Sequence, residues 1–324
     1  VLATALRELR DWKSAYYQDA LISRTTDQVP IFDIQGWTDN LFPEVEGVSF
    51  VNKLRADGWP VKVAVADVGH PAAQNKAAVW SVLNSEANAF LDHYMLGTGS
   101  SITFDSSAQL TSCNSSAGTT YTKNNWTSLA PHRITFTSTD QKATTSATPG
   151  DTLQASTDPI AVAAQHGGNG ACIVLPASSS VPAANWDFPV TTPFTLLGEP
   201  ALHLAATVAG TDAEIDALLW DVAPDGTKTL VTRGAYRFTG SPGAATIDTP
   251  LQGNGWAFAP GHVIRLEVTQ NDASYLRPDN FPSAVVYSSV RLTLPTPTVV
   301  PSGSGSPTTE IPGGVTVLAQ TGGA

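Results

Sequence analysis

The sequence predicts two fold classes in tandem, an α/β segment followed by an all-β sandwich or jelly roll. Three observations carry this. Residues 1–97 alternate short β-branched runs with apolar stripes of helical period. From about Ser101 that period vanishes, and short alternating segments appear between Gly, Pro, Asn and Asp turns. From about Thr296 the chain turns Pro/Ser/Gly/Thr-rich, with little to bury. With 324 residues there is material for two cores. The expected divisions are 1–97, 98–295 and a flexible tail at 296–324.

Along the first division, Leu2, Leu6, Leu9, Trp12 and Tyr16 form a helical stripe. Ile31–Ile34, entered through Pro30, reads as a buried strand. Val45, Val48, Val51 and Leu54 share one helical face. Val61–Ala66 is a second strand, and a long helix follows with Val79, Val82, Leu83, Phe90, Leu91 and Tyr94 inward. Strand, helix, strand, helix is the rhythm of a parallel sheet. Two strands cannot make a stable covered sheet, so more sheet is expected upstream. In the second division the strands are Arg133–Ser138, Ala201–Ala209, Ile215–Val222, Thr229–Arg233, Val263–Thr269 and Val285–Leu294. Pro224-Asp225-Gly226 is the turn of a hairpin, since glycine supplies a positive φ. Many short strands with regular turns indicate an antiparallel sandwich.

Composition removes several functions. A net charge of −11 without a basic patch argues against nucleic acid. No apolar run reaches membrane-spanning length. The six histidines, His70, His93, His132, His166, His203 and His262, show no zinc-ligand spacing, and no metal or cofactor is expected. His203 reads as a sheet-face or core residue, and His166–Gly170 as a surface loop. Sparse charge and abundant Ser and Thr suit a secreted protein. Cys113 and Cys172 then form either a disulfide or two separate buried thiols. Asn114-Ser115-Ser116 and Asn125-Trp126-Thr127 fit the glycosylation acceptor pattern. The start at Val1 shows no signal peptide and no Met, which reads as a piece of something longer or already processed. Leu294-Pro295-Thr296-Pro297 does not continue into a sorting signal.

Chemistry concentrates at Gly36-Trp37-Thr38-Asp39 and Asp67-Val68-Gly69-His70. Each follows a strand, and functional groups of parallel sheets gather on loops beyond the strands' carboxyl ends. Neighbouring strands lie about 5 Å apart, so the loops can bring a carboxylate to an imidazole. Asp39 would then hold the tautomer of His70, the general base, and the order Asp then His fits an α/β hydrolase. Asp33 and Asp67 are weaker acids, one inside a strand and one beside His70. The bland alternative makes Asp39 a loop cap and His70-Pro71 a turn.

The first run resembles the Gly-Trp-aromatic-Asp run carrying the acid of X-Pro dipeptidyl-peptidase and cocaine-esterase-like hydrolases. The second is similar to that family's Gly-His run bearing the catalytic base. Trp12–Pro30 resembles the exit from the family's helical cap. Ala184-Asn185-Trp186, Thr192–Leu204, Val263–Val268 and Asn280-Phe281-Pro282 are similar to parts of its C-terminal jelly roll. Thr38 departs from the pattern, where an aromatic is commoner. The resemblance implies the C-terminal part of an α/β-hydrolase core followed by an antiparallel jelly-roll β-sandwich. It also implies a serine hydrolase, peptidase or esterase, acting on a small-molecule ester or peptide. No Gly-x-Ser-x-Gly elbow occurs here; Gly97–Ser101 and Ser302–Ser306 do not match. The implied partner is therefore a missing N-terminal hydrolase segment bearing the serine, upstream of Val1. The rival reading is a non-catalytic binding module, for instance for carbohydrate, in which exposed members of Trp126, Trp186, Trp220 and Trp256 make a platform.

Overall fold

A computed structural model describes residues 4–5, 27–70, 72–146, 158–159, 170–177, 183–273, 275–300, 310–311 and 315–316. The stripe from Leu2 to Tyr16 and the glycine-rich run after His166 lie outside the described residues. The first sheet opens with β1 (Ile31–Gly36) and β2 (Val61–Ala66), paired in parallel from Ile31↔Val61 to Gly36↔Ala66. Between them runs α1 (Glu44–Ala56), which buries Val48, Val51 and Leu54 against the sheet. After β2 comes α2 (Ala77–Tyr94), burying Val79, Leu83 and Phe90. Its last turn corrects the sequence expectation, because Leu91 and Tyr94 are 46% and 39% exposed. The stripe is real, but the helix runs past the surface that could cover it.

Two more strands join this sheet from beyond residue 97. β3 (Ser106–Gln109) pairs parallel to β2, and β4 (Thr120–Lys123) antiparallel to β3. β2 is thus flanked on both sides and wholly buried, whereas β1 is half-buried along five of its six residues.

The remainder is a jelly-roll β-sandwich. One sheet has the order β13 (Gly243–Pro250), β10 (Ala201–Gly210), β16 (Ser283–Thr296), β5 (His132–Ser138), with β6 (Lys142–Thr145) also paired to β16; beside it β9 (Phe194–Gly198) pairs with β14 (Asn254–Phe258). The other has β7 (Val174–Pro176), β12 (Thr227–Arg237), β11 (Glu214–Val222), β15 (Val263–Thr269), β8 (Ala184–Pro189). Every strand expected from the sequence appears, each within a few residues of its expected ends. Alternate residues point inward, and Phe136, Trp186, Phe188, Leu204, Leu266, Tyr287 and Leu292 pack into one core. The β11–β12 turn rests on Gly226 at φ 82° and on Asp225, whose carboxylate accepts from the Thr227 N–H at 3.0 Å. Trp186 and Trp220 are fully buried and Trp256 nearly so, so they form no platform for a sugar.

On its outer face the second sheet carries buried ion pairs. Arg265 grips Asp187 through two bonds of 2.7 and 2.6 Å, and Lys228 meets Glu267 at 2.9 Å. Arg233 is held by Asp272 at 2.8 Å and Asp158 at 2.7 Å. Charges so removed from water persist only when paired, so loss of one partner would cost more than the pair contributes.

The sandwich docks on the α/β part through backbone and side-chain bonds. The Thr111 N–H donates to the Gly255 carbonyl at 2.7 Å, and Glu44, at the start of α1, accepts from the Gly253 N–H at 2.7 Å. Burial, followed by repulsion from Glu199, pushes the Glu44 carboxyl up to about 8, against the hydrogen bond from Gly253. A raised pKa means the folded state holds the proton, so the stability it brings is complete below the ordinary carboxylate range and is lost as pH rises through about 8. Glu44→Gln should therefore flatten the fall of melting temperature between pH 5 and 9; an unchanged slope would count against a buried neutral Glu44.

Candidate active site

The two parallel strands end level with each other, since Gly36 opposes Ala66, and their loops start side by side. The Trp37 N–H extends the ladder to the Ala66 carbonyl at 2.9 Å. Its indole donates to the Gln109 carbonyl at 2.7 Å and leans on Trp126, with ring centres 5.7 Å apart. That anchor turns the chain so that Asp39 points toward the second loop. Asp39 Oδ2 and Oδ1 lie 2.9 and 3.0 Å from His70 Nδ1. Oδ1 also accepts the N–H groups of Leu41 (2.8 Å) and Phe42 (2.9 Å). Asp39 therefore caps its own loop and holds the imidazole at the same time, so both sequence readings describe one geometry.

Glycines permit this approach. A Cβ on Gly36 would lie 1.9 Å from the Val68 carbonyl oxygen, and one on Gly69, at φ 124°, would lie 2.4 Å from Asp39 Oδ2. Thr38, which departs from the family pattern, donates to Asp67 Oδ1 at 2.6 Å and so ties the two loops together. Asp67 also accepts from the Gln74 N–H at 3.0 Å, a framing role and not that of a competing acid. Asn75, at φ 51°, accepts from the Gly69 N–H at 3.0 Å and donates to its carbonyl at 2.8 Å. Asp33 lies on β1, bonded to Gln35, with its carboxyl pushed up by burial.

The electrostatics divide the pair into a fixed and a free half. Burial works against a charged Asp39, but the donors Phe42, His70 and Leu41 outweigh it and hold the carboxyl below its ordinary range. Asp39 is 7% exposed, while the His70 side chain is 41% exposed. With Nδ1–H committed to the carboxylate, Nε2 is left as the acceptor. Leu41 and Phe42 form an exposed apolar lip, and the Phe42 ring lies 5.4 Å from the imidazole. Behind the acid, a cavity of about 50 Å³ is lined by Trp37, Asn40, Arg233, Gln252 and Tyr275. Pockets that enclose small molecules measure about 300 Å³ or more, so this cavity is too small to hold one. Sequence reading missed Arg233, Gln252 and Tyr275, because no local pattern announces residues that line the cavity behind Asp39 only through tertiary docking.

Two further His–carboxylate contacts lack this arrangement. His203 meets Asp248 at 2.7 Å across β10 and β13, but that carboxylate is 73% exposed. His262 meets Asp221 at 2.8 Å at a strand end of the sandwich, where Asp221 is shared with the Trp256 indole at 3.0 Å. Among the described residues, neither carboxylate is held by backbone donors at the end of a parallel strand. Among the described residues, no group of three or more His, Cys, Asp or Glu could hold a metal ion. No described helix is long and apolar enough to cross a membrane.

Parallel strands that bring a buried carboxylate to an open imidazole, followed by a jelly roll, have the fold of the C-terminal portion of an α/β hydrolase. Residues 60–284 match the family described as the X-Pro dipeptidyl-peptidase C-terminal non-catalytic domain, and the chain belongs to that family. The match takes in His70 and leaves Asp39 outside. No individual curated protein matches the chain. Among solved structures, it is similar to an aminopeptidase from a marine sediment archaeon, Thaumarchaeota archaeon, at TM-score 0.66 and 14% identity, over 87% of this chain and 57% of that one. An α-amino acid ester hydrolase gives 0.65 and 14%, over 91% and 62%. A CocE/NonD family hydrolase from Staphylococcus aureus gives 0.53 and 12%, over 83% and 54%. At such identities the likeness is one of fold. The chain spans between 54% and 62% of the length of these proteins.

Two outcomes follow from the geometry. Gly69→Ala should cost about 2 kcal/mol through its backbone conformation and contact with Asp39, and should abolish the downfield Nδ1–H proton resonance of His70. A retained resonance would show that the loops have slack. Because the Asp39 pKa is lowered, its stabilising charge is present above the ordinary carboxylate range and lost as pH falls through the lowered value. The stability gap between wild type and Asp39→Asn should therefore hold at pH 7 and narrow only below about pH 4; a gap independent of pH in denaturant titrations would contradict this.

Proposed function

We propose that this chain supplies the acid, the base and the jelly roll of a serine hydrolase of the X-Pro dipeptidyl-peptidase/cocaine-esterase type. The substrate is a small-molecule ester or peptide. What carries the reading is Asp39, saturated by backbone donors, holding Nδ1 of a solvent-open His70 at 2.9 Å. His70 takes the proton of a serine hydroxyl as that oxygen attacks the ester or amide carbonyl. It then gives the proton to the leaving group, and in deacylation it activates water in the same way. Asp39 stays ionised throughout and stabilises the imidazolium. The serine and the oxyanion donors belong to a segment outside this sequence, which contains no Gly-x-Ser-x-Gly. The half-exposed β1, unpaired on one side among the described residues, supports such a segment as the missing neighbour.

The sandwich is read as non-catalytic, in keeping with its family's description, and as shaping access to His70. Its buried tryptophans weigh against the carbohydrate-module alternative. The disulfide between Cys113 and Cys172 supports an exported protein.

In the protein extended to include the upstream segment, a fluorophosphonate should label one serine, and His70→Ala should lower turnover by about 10⁴-fold. Unchanged turnover would sink the assignment, and labelling of this chain by itself would show that the nucleophile had been misplaced.

A further inference from the structure

The Cys113–Cys172 disulfide joins two segments 59 residues apart, and both are bonded to the loop that carries His70. On the first segment, the Ser112 carbonyl accepts from Gln74 Nε2 at 2.8 Å and from Lys76 Nζ. On the second, the Ala171 N–H donates to the Ala72 carbonyl at 2.8 Å. Gln74 is the node, because its Nε2 lies 2.6 Å from Asp67 Oδ2 and 3.2 Å from Cys172 Sγ. Asp67 in turn receives the Thr38 hydroxyl from the acid loop, and Asn40 of that loop accepts from the Ala72 N–H at 3.3 Å. Covalent bond, Gln74, Asp67 and Thr38 thus form one continuous frame around the turn from Asp67 to Lys76.

We propose that this disulfide is a positioning element for the base, so that catalysis by the completed enzyme depends on its oxidation state. The inference rests on the reading of His70 as the general base. Opening the bond separates Ser112 from Ala171 and leaves the base loop held at those two points by hydrogen bonds without the covalent closure. The sandwich core contains neither cysteine, so it stays folded while the imidazole loses its fixed register against Asp39. Cys113 is exposed and Cys172 half-buried, within reach of a dithiol reductant. That reagent supplies two electrons and two protons, leaving two thiols here and a cyclic disulfide on itself.

A bond that only stabilises the fold lowers the melting temperature and leaves turnover by the folded enzyme alone; a positioning bond changes both. The double variant Cys113→Ser/Cys172→Ser, in the protein extended to carry its nucleophile, should lose about tenfold in kcat with little change in KM, since small misplacements of reacting groups act on the chemical step. In this chain, the same variant should broaden the downfield His70 Nδ1–H resonance. Gln74→Met, which keeps the disulfide and removes the donors, should do likewise, and it decides the matter if the cysteine variant does not fold. Folded variants with unchanged kcat and an unchanged His70 resonance overturn the inference. Retained turnover in His70→Ala overturns the underlying reading of the site instead.

Discussion

The parallel register of Ile31–Gly36 against Val61–Ala66 is the constraint on which the site depends. Strand pairing fixes where both loops begin, and a slip by one residue would turn Asp39 away and exchange the two faces of the strand that slips. Everything near the pair then serves close approach. Gly36 and Gly69 remove the side chains that would collide, and Thr38 and Asn40 bond the acid loop to the base loop. The sandwich adds a third side. Its Gly253 meets Glu44 at the start of the helix that follows the Asp39 loop, so the jelly roll braces that loop from outside.

This division of labour explains how a family described as non-catalytic can contain His70. The match opens just before β2, whose neighbour β3 runs into Gln109, Leu110 and Thr111, the stretch that contacts Gly255 of the sandwich. A boundary drawn by similarity need not coincide with one drawn by chemistry. Here Asp39 lies on one side of it and His70 on the other.

Much of this was legible in the sequence where the determinants are local. Val61–Ala66 announces a buried strand by β-branching, Asp225-Gly226 announces a hairpin, and the two glycine-bearing runs announce the Asp39–His70 pair. Nonlocal determinants were not legible. Nothing in Ser106–Gln109 distinguishes a parallel sheet member from a sandwich strand, since the partners of its buried serine side chains, Arg55 of α1 and Glu86 of α2, lie far off in the chain. Likewise, Leu91 and Tyr94 continue a helical stripe whose partner surface ends first. The disulfide could not be chosen over two thiols from spacing, because 59 residues of chain say nothing about proximity.

Indoles are distributed so that each core carries its own optical label. Trp186 reports from the interior of the sandwich and Trp220 from the buried outer face of its second sheet, both shielded from water and therefore emitting at short wavelength. Trp37 and Trp126, tilted by 45° with centres 5.7 Å apart, form a coupled pair at the seam beside the acid. Such a pair gives near-ultraviolet dichroism only while it is rigidly oriented. Light thus separates two events in this molecule that heat would merge: melting of the jelly roll, and loosening of the frame around Asp39.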